Sequence, residues 1–236
     1  CFRYRRQGSD RPVMIIVSGL PRCGSSMMMQ TLHYLGVPLV GEKSFNFKGN
    51  SYLHRQQIPK KYHKKIAKHN TKGFYDIPIE LIPFFLNADL EGRAIKLLGD
   101  GFLPHIKQSN VEKVIFCRRQ SIIEQATSLQ KLALLDLELV EEEVKKGFLL
   151  ENSIRPILLR RYGSMDLEDI IAMLYAGERN LLAYWSNSKH TPLEIIFEDM
   201  LTNPEENITK VKNFLDLDVD IEKAVRNINT NEEAGV

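Results

Sequence analysis

The chain has 236 residues, enough for one α/β domain with a full core. It is 43% hydrophobic and 26% charged, an ordinary globular profile, and its apolar runs fall far short of a membrane span. A net charge of +2 gives no reason to expect a nucleic-acid partner. Three cysteines, Cys1, Cys23 and Cys117, are few and odd in number, which argues against a disulfide framework. A reducing, cytoplasmic setting is therefore expected. The first residue is Cys rather than Met, which leaves open a longer chain with an anchor or signal ahead of it.

Residues 1–11 are basic and polar and read as a lead-in. Val13 to Val17 are apolar and suit a buried parallel strand. Gly19 and Gly24 bracket a tight turn, Ser25 and Ser26 can cap a helix start, and Met27 to Leu35 reads as that helix. Val37 to Val40 is a short second strand candidate ending at Gly41-Glu42-Lys43. Ser44 to Gln57 has no periodicity and reads as a loop over a site. Lys60 to Lys72 holds six lysines and two histidines, either a solvated helix face or a landing patch for an anion. Ile77 to Leu90 reads as a helix interrupted by Pro83.

Ala94 to Leu98 and Val111 to Cys117 are buried-strand candidates. Ser121 with Glu124 forms a capping box opening a helix to about Leu135. Glu138 to Leu150 and Asp166 to Asn187 read as further helices, and Leu193 to Phe197 as the last strand. Asn203-Pro204-Glu205-Glu206 joins an N-cap, a proline at N1 and first-turn acids, opening a helix to about Leu215. Ile221 to Ile228 adds one more. This alternation predicts a single three-layer α/β/α domain over residues 1–236, with a mostly parallel sheet covered on both faces.

The chemistry concentrates after the first strand. A strand, a glycine-bracketed loop and a helix start make an oxyanion cradle, because loop N–H groups and the helix N-terminus converge on bound phosphate. The spacing from Gly19 to Gly24 matches a phosphate-binding loop, but Ser25 stands where the nucleotide-hydrolysing motif has lysine. The cation sits earlier, at Arg22, placing a permanently charged planar fork at the loop apex.

Pro21-Arg22-Cys23-Gly24-Ser25-Ser26 resembles the 5′-phosphosulfate loop of the sulfotransferases that use 3′-phosphoadenosine 5′-phosphosulfate (PAPS), with Cys23 in place of the usual middle serine. Those enzymes also carry a strand ending in Arg and a Ser eight residues on, which bind the 3′-phosphate. Arg119 with Thr127 matches that spacing, and Ser128 is one further on. Gln120-Ser121 replaces the family's Asp/Asn-Pro, so Arg118 competes with Arg119 for the register. The segment from Phe197-Glu198-Asp199 to Asn203-Pro204-Glu205-Glu206 resembles a late, mainly architectural sulfotransferase segment. It also mimics a strand whose acid holds magnesium in kinases.

The resemblance further implies a general base. Tyrosylprotein sulfotransferases carry a Gly-Glu after the first helix, and Glu42 stands eighteen residues beyond Gly24, the family's spacing. A carboxylate at a strand C-terminus there could accept a hydroxyl proton. Cytosolic sulfotransferases use a His after the strand read here as Ala94 to Leu98; Leu97-Leu98-Gly99-Asp100 has none. Asp100, His33, His54 and His105 remain competing bases. Lys96 holds about the place of the lysine that neutralises the moving sulfuryl group, and an unpaired lysine buried in a strand would be costly.

The expectation is a PAPS-dependent transferase moving a sulfuryl group to a hydroxyl or amine of a small-molecule, glycan or peptide acceptor. It would release 3′-phosphoadenosine 5′-phosphate (PAP) and need no metal. The alternatives are a phosphate-loop kinase of small molecules or nucleotides, with Glu198 or Asp199 on magnesium, and a non-catalytic nucleotide-binding module.

Overall fold

The computed structural model describes residues 14–40, 92–106, 111–145 and 160–233. Glu42, His54, and the stretches expected as a loop at 44–57, a basic face at 60–72 and a helix at 77–90 lie outside the described residues.

Among the described residues, four strands make one parallel sheet: β1 (Met14–Gly19), β2 (Ala94–Leu98), β3 (Val111–Arg118) and β4 (Leu193–Ile196), in the order β2-β1-β3-β4. Every residue of β1 is buried, as a central parallel strand requires. The period of two splits its side chains cleanly. Met14 and Ile16 join Val114 and Phe116 of β3 and pack against α2 (Ile122–Lys145) and α3 (Leu167–Ser186), through Ala126, Leu129, Ile170, Leu174, Leu181 and Trp185. Ile15 and Val17 face the other way, with Ile115, Cys117 and Ala94. There they meet Met28, Met29 and Leu32 of α1 (Ser25–Tyr34). Beyond α1 lie α4 (Phe197–Thr202), α5 (Pro204–Phe214) and α6 (Glu222–Glu233), contributing Met200, Ile208, Val211, Ala224 and Ile228. Each fully buried Ile or Leu in these two layers contributes about 1.5–3 kcal/mol relative to exposure. The expected three-layer α/β/α architecture is present.

The strand order has a functional consequence. The chain leaves β1 toward β2 on one side of the sheet and leaves β3 toward β4 on the other. The connections diverge between β1 and β3, and an open parallel sheet presents its ligand crevice outside the strand C-termini at such a point.

Several boundaries differ from expectation. The short strand at 37–40 reduces to one parallel bridge, Leu39 to Ala94, with Ala94 N–H donating to the Pro38 carbonyl and Val40 N–H to the Ala94 carbonyl. Pro38 has no N–H to extend the ladder. The helices expected at 122–135 and 138–150 are one helix, α2, because nothing at 136–137 breaks the backbone pattern. β4 ends at Ile196, and Phe197 opens the short helix α4 instead of closing the strand. Asn203 makes no side-chain cap on α5; its amide donates to Thr202 Oγ1 at 3.2 Å.

The junction between α4 and α5 is closed by Asn207. Its buried Nδ2 donates to the Asp199 carbonyl at 2.9 Å and the Asn203 carbonyl at 3.0 Å. Asn207→Ala should therefore lower unfolding stability by about 1–3 kcal/mol, the cost of leaving buried acceptors without this donor. Urea denaturation reads the loss; an unchanged midpoint would show that the junction does not depend on the amide.

Candidate functional site

The C-terminal ends of β1 and β3 and the N-terminus of α1 converge on the loop Leu20–Gly24. Its path is set by missing side-chain volume. Gly19 has φ 152°, and a Cβ there would lie 2.5 Å from the Cys117 carbonyl oxygen and 2.6 Å from Cys23 Sγ. Gly24 caps α1 at φ 84°, and its Cβ would collide with the Phe197 ring. Between them Arg22 takes φ 66°, a left-handed conformation that is strained for a side-chain-bearing residue. Such strain persists only where the surroundings impose it.

Three contacts impose it. Gln125 of α2, only 4% exposed, donates Nε2–H to the Pro21 carbonyl at 2.7 Å. Arg22 Nε–H donates to Ser128 Oγ at 2.9 Å. The Cys23 N–H closes the turn on the Leu20 carbonyl at 3.3 Å. The loop is thus tied to α2 at two successive residues.

Lys96 comes from β2, the strand beside β1. It is 4% exposed, and its Nζ donates to Ser26 Oγ at 3.2 Å at the start of α1. An ammonium therefore stands beside the helix N-terminus, where the loop itself has Ser25 in the lysine position. The resulting cradle combines Arg22 at its apex, Lys96 at its flank, two serines and the first turn of α1. Such a set recognises an oxyanion.

Arg118, the last residue of β3, and Arg119 just after it have separate partners. Arg118 donates Nε–H to Glu178 of α3 at 2.8 Å and Nη1–H to Glu194 of β4 at 3.1 Å. The hydrogen bond to Glu178 raises the guanidinium pKa despite partial burial. Arg118 is a clamp between α3 and β4. Arg119 lies over the Phe197 ring, 4.8 Å from its centroid, and donates Nε–H to Glu198 Oε1 at 3.0 Å. A second N–H contacts Glu124 Oε2 at 3.5 Å. A guanidinium has five N–H donors, so these contacts do not exhaust it. Because Phe197 also packs on Gly24, Arg119 is held beside the loop.

The hydroxyls following Arg119 point to different partners. Thr127 Oγ1 donates to the Ile123 carbonyl of its own helix at 2.8 Å, while Ser128 Oγ meets Arg22. Half of the capping box forms: Glu124 N–H donates to Ser121 Oγ at 3.2 Å, and the Glu124 carboxylate turns to Arg119. Asp100, at the end of β2, accepts Asn180 Nδ2–H at 2.8 Å. His33 lies exposed on α1 and His105 exposed on a 3₁₀ turn, Leu103–His105. Pro21, Arg22, Cys23, Gly24, Ser25, Ser26, Lys96, Arg119 and Ser128 are brought together; Glu42 and His54 fall outside the described residues.

Sequence reasoning missed Gln125, Phe197 and Glu198 as loop and arginine partners. The signal for Gln125 was an amide on the face marked by Ile122, Ala126 and Leu129, where α2 is otherwise apolar. Glu198 carries a further signature. Burial pushes its carboxyl up, but the Gln120 N–H, the Arg119 guanidinium and its own N–H together hold it below the ordinary 4.5.

A depressed folded-state pKa stabilises above the unfolded value and is lost as pH falls through the folded one. Glu198→Gln should therefore flatten the stability–pH curve in the acid range below about pH 5 relative to wild type. Thermal melts across that range read the difference; parallel curves would mean that Glu198 does not carry the linkage.

No protein-family model matches the chain, and no curated protein matches it. Solved structures similar in architecture include three from different enzymes. One is a shikimate kinase from Bacteroides thetaiotaomicron, at 11% identity and TM-score 0.43, covering 87% of this chain and 99% of that one. Another is retinol dehydratase in complex with androsterone and the inactive cofactor PAP, at 12% identity and TM-score 0.47, covering 93% and 65%. The chain thus spans just under two thirds of that protein. The third is the sulfotransferase domain of the Synechococcus PCC 7002 olefin synthase, at 17% identity and TM-score 0.46, covering 97% and 81%. At these values the likeness is one of fold alone.

Proposed function

We propose that the chain is a PAPS-dependent sulfotransferase acting on a hydroxyl or amine acceptor, small-molecule, glycan or peptide. The observation that carries this reading is the position of the cations. Ser25 occupies the place of the nucleotide-hydrolysing lysine, and positive charge arrives instead from the loop apex, Arg22, and from the neighbouring strand, Lys96 Nζ on Ser26 Oγ. That arrangement suits an anhydride neutralised by protein cations rather than by a metal held on a loop serine.

The residues fit the donor. Gly24 opens the helix in a left-handed turn, and Ser25, Ser26 and the first turn of α1 would hold the 5′-phosphate. Arg119, with Ser128 or Thr127, would hold the 3′-phosphate; a phosphate there has to share the guanidinium with Glu198. PAPS supplies an activated sulfuryl group when bound. Arg22 and Lys96 stabilise negative charge growing on the transferring and leaving groups. Glu42 accepts the acceptor's proton, the role implied by its Gly-Glu setting, with Asp100, close to the loop at the end of β2, as the next candidate. The acceptor proton would thus leave on a carboxylate while the cations hold the departing 5′-phosphate of PAP.

Isothermal titration with PAP against ATP–Mg²⁺ tests the reading. PAP should bind more tightly, and Arg119→Ala should weaken it by about 1.5–3 kcal/mol, the scale of a charge-assisted hydrogen bond. Turnover with PAPS should persist in excess EDTA. Tighter ATP–Mg²⁺ binding, or activity abolished by EDTA and restored by magnesium, would replace this reading with the kinase one. PAP binding without turnover would leave a nucleotide-binding module.

Glu42→Gln should lower turnover by roughly 10²–10⁴ while PAP affinity stays within about twofold, because a positioned base acts on the acceptor and not on the cofactor phosphates. Steady-state rates on the least acidic acceptor turned over make the comparison. A full-rate Glu42→Gln enzyme would move the role to Asp100, and Asp100→Asn would then carry the loss.

A further inference from the structure

The loop contains a group that phosphate binding does not require. Cys23 and Cys117 are both free thiols, 1% and 3% exposed, in the same core layer beneath α1. Gly19 pairs with Cys117 in the β1–β3 register, and Cys23 Sγ fills the space a Gly19 side chain would take. Strand residues in register share a face, so Cys23 Sγ and the Cys117 side chain lie in one buried layer on either side of that glycine. We propose that Cys23 and Cys117 are a reversible thiol–disulfide pair, oxidised by a peroxide, whose closure reshapes the phosphate loop. The consequence for ligand binding rests on the loop reading above; the covalent step does not.

The roles within the pair differ. The Cys117 thiol, the Ser25 N–H and hydroxyl and the Lys96 ammonium draw the Cys23 pKa down against burial, whereas its bond to Cys23 and burial push Cys117 up. Cys23 is thus the nucleophile and Cys117 the resolving thiol. The Cys23 thiolate attacks one peroxide oxygen; an S–O bond forms, the O–O bond breaks, and hydroxide leaves to become water with the proton Cys23 gave up. Cys117 sulfur then attacks the Cys23 sulfenic acid. An S–S bond forms, the S–O bond breaks, and the hydroxyl departs with the Cys117 proton as a second water. Two thiols lose two electrons, and the peroxide takes them.

A disulfide measures only about 2.05 Å, so the sulfurs must close by roughly an ångström or more from thiol–thiol contact. β3 cannot supply that movement, since it is hydrogen-bonded to β1 on one side and β4 on the other. The loop must move, and it carries Arg22 and Gly24 with it. Misplacement on that scale is enough to cost a positioned site about 10²-fold.

Stoichiometric hydrogen peroxide on the whole chain tests the pair. The intact mass should fall by two hydrogens, peptide mapping should join Cys23 to Cys117, and a thiol reductant should reverse both. PAP affinity should fall tenfold or more on oxidation and recover on reduction, and Cys117→Ser should keep its affinity through the treatment. Peptide mapping of the wild type needs no variant to fold. No mass loss, a bond made through Cys1, or stable addition of oxygen to Cys23 in place of the bond would overturn the pair. A Cys23–Cys117 bond that leaves a measurable PAP affinity unchanged would overturn the reshaping. The mass and linkage are read without ligand, so a reduced protein that never binds PAP sinks the sulfotransferase reading and leaves the pair standing on its own result.

Discussion

There is no room for a methyl group at Gly19 or Gly24, and the site's shape derives from that exclusion. The Cys117 carbonyl and Cys23 sulfur press on the first glycine, the Phe197 ring on the second. Between them Arg22 has to turn left-handed, and it stands exposed at the apex. A longer side chain at either point would push the loop off β3 or off α4. The anion cradle is therefore shaped less by attraction to a ligand than by the close approach of three protein segments to two bare Cα atoms.

Charge is divided on the same scaffold. Adjacent arginines, the last residue of β3 and the one after it, go to opposite purposes. Arg118 is satisfied by Glu178 and Glu194 and ties helix to strand. Arg119 turns toward the loop, its side chain 16% exposed, stacked on an aromatic ring and shared with Glu198. An anion arriving at Arg119 would share the guanidinium with Glu198, so its affinity would fall short of the whole of a new ion pair.

Much of this was legible in the residues. The strand–loop–helix at Val13 to Leu35, the strands at 94–98 and 111–117 and the helices after 166 and 204 are long or strongly patterned, and periodicity reads such segments well. The features that escaped were decided by tertiary contact. Pro38 reduces a strand to a bridge only because Ala94 arrives beside it. Helix α4 forms where Phe197 turns back onto Gly24, and no local propensity marks that turn. The partners of Pro21, Arg22 and Arg119 lie about eighty to a hundred residues away along the chain, beyond the reach of any motif.

The bond from Gln125 to the Pro21 carbonyl has a consequence for engineering. Here the loop's conformation is enforced from outside, by an amide on α2, a ring on α4 and a hydroxyl one turn along from the amide. Its sequence is consequently not a portable module. Grafted onto another parallel sheet, Leu20 to Ser26 would carry its glycines but leave its restraints behind, and Arg22 would relax out of the left-handed region. The unit that could be transplanted is discontinuous: the loop together with Gln125, Ser128 and Phe197.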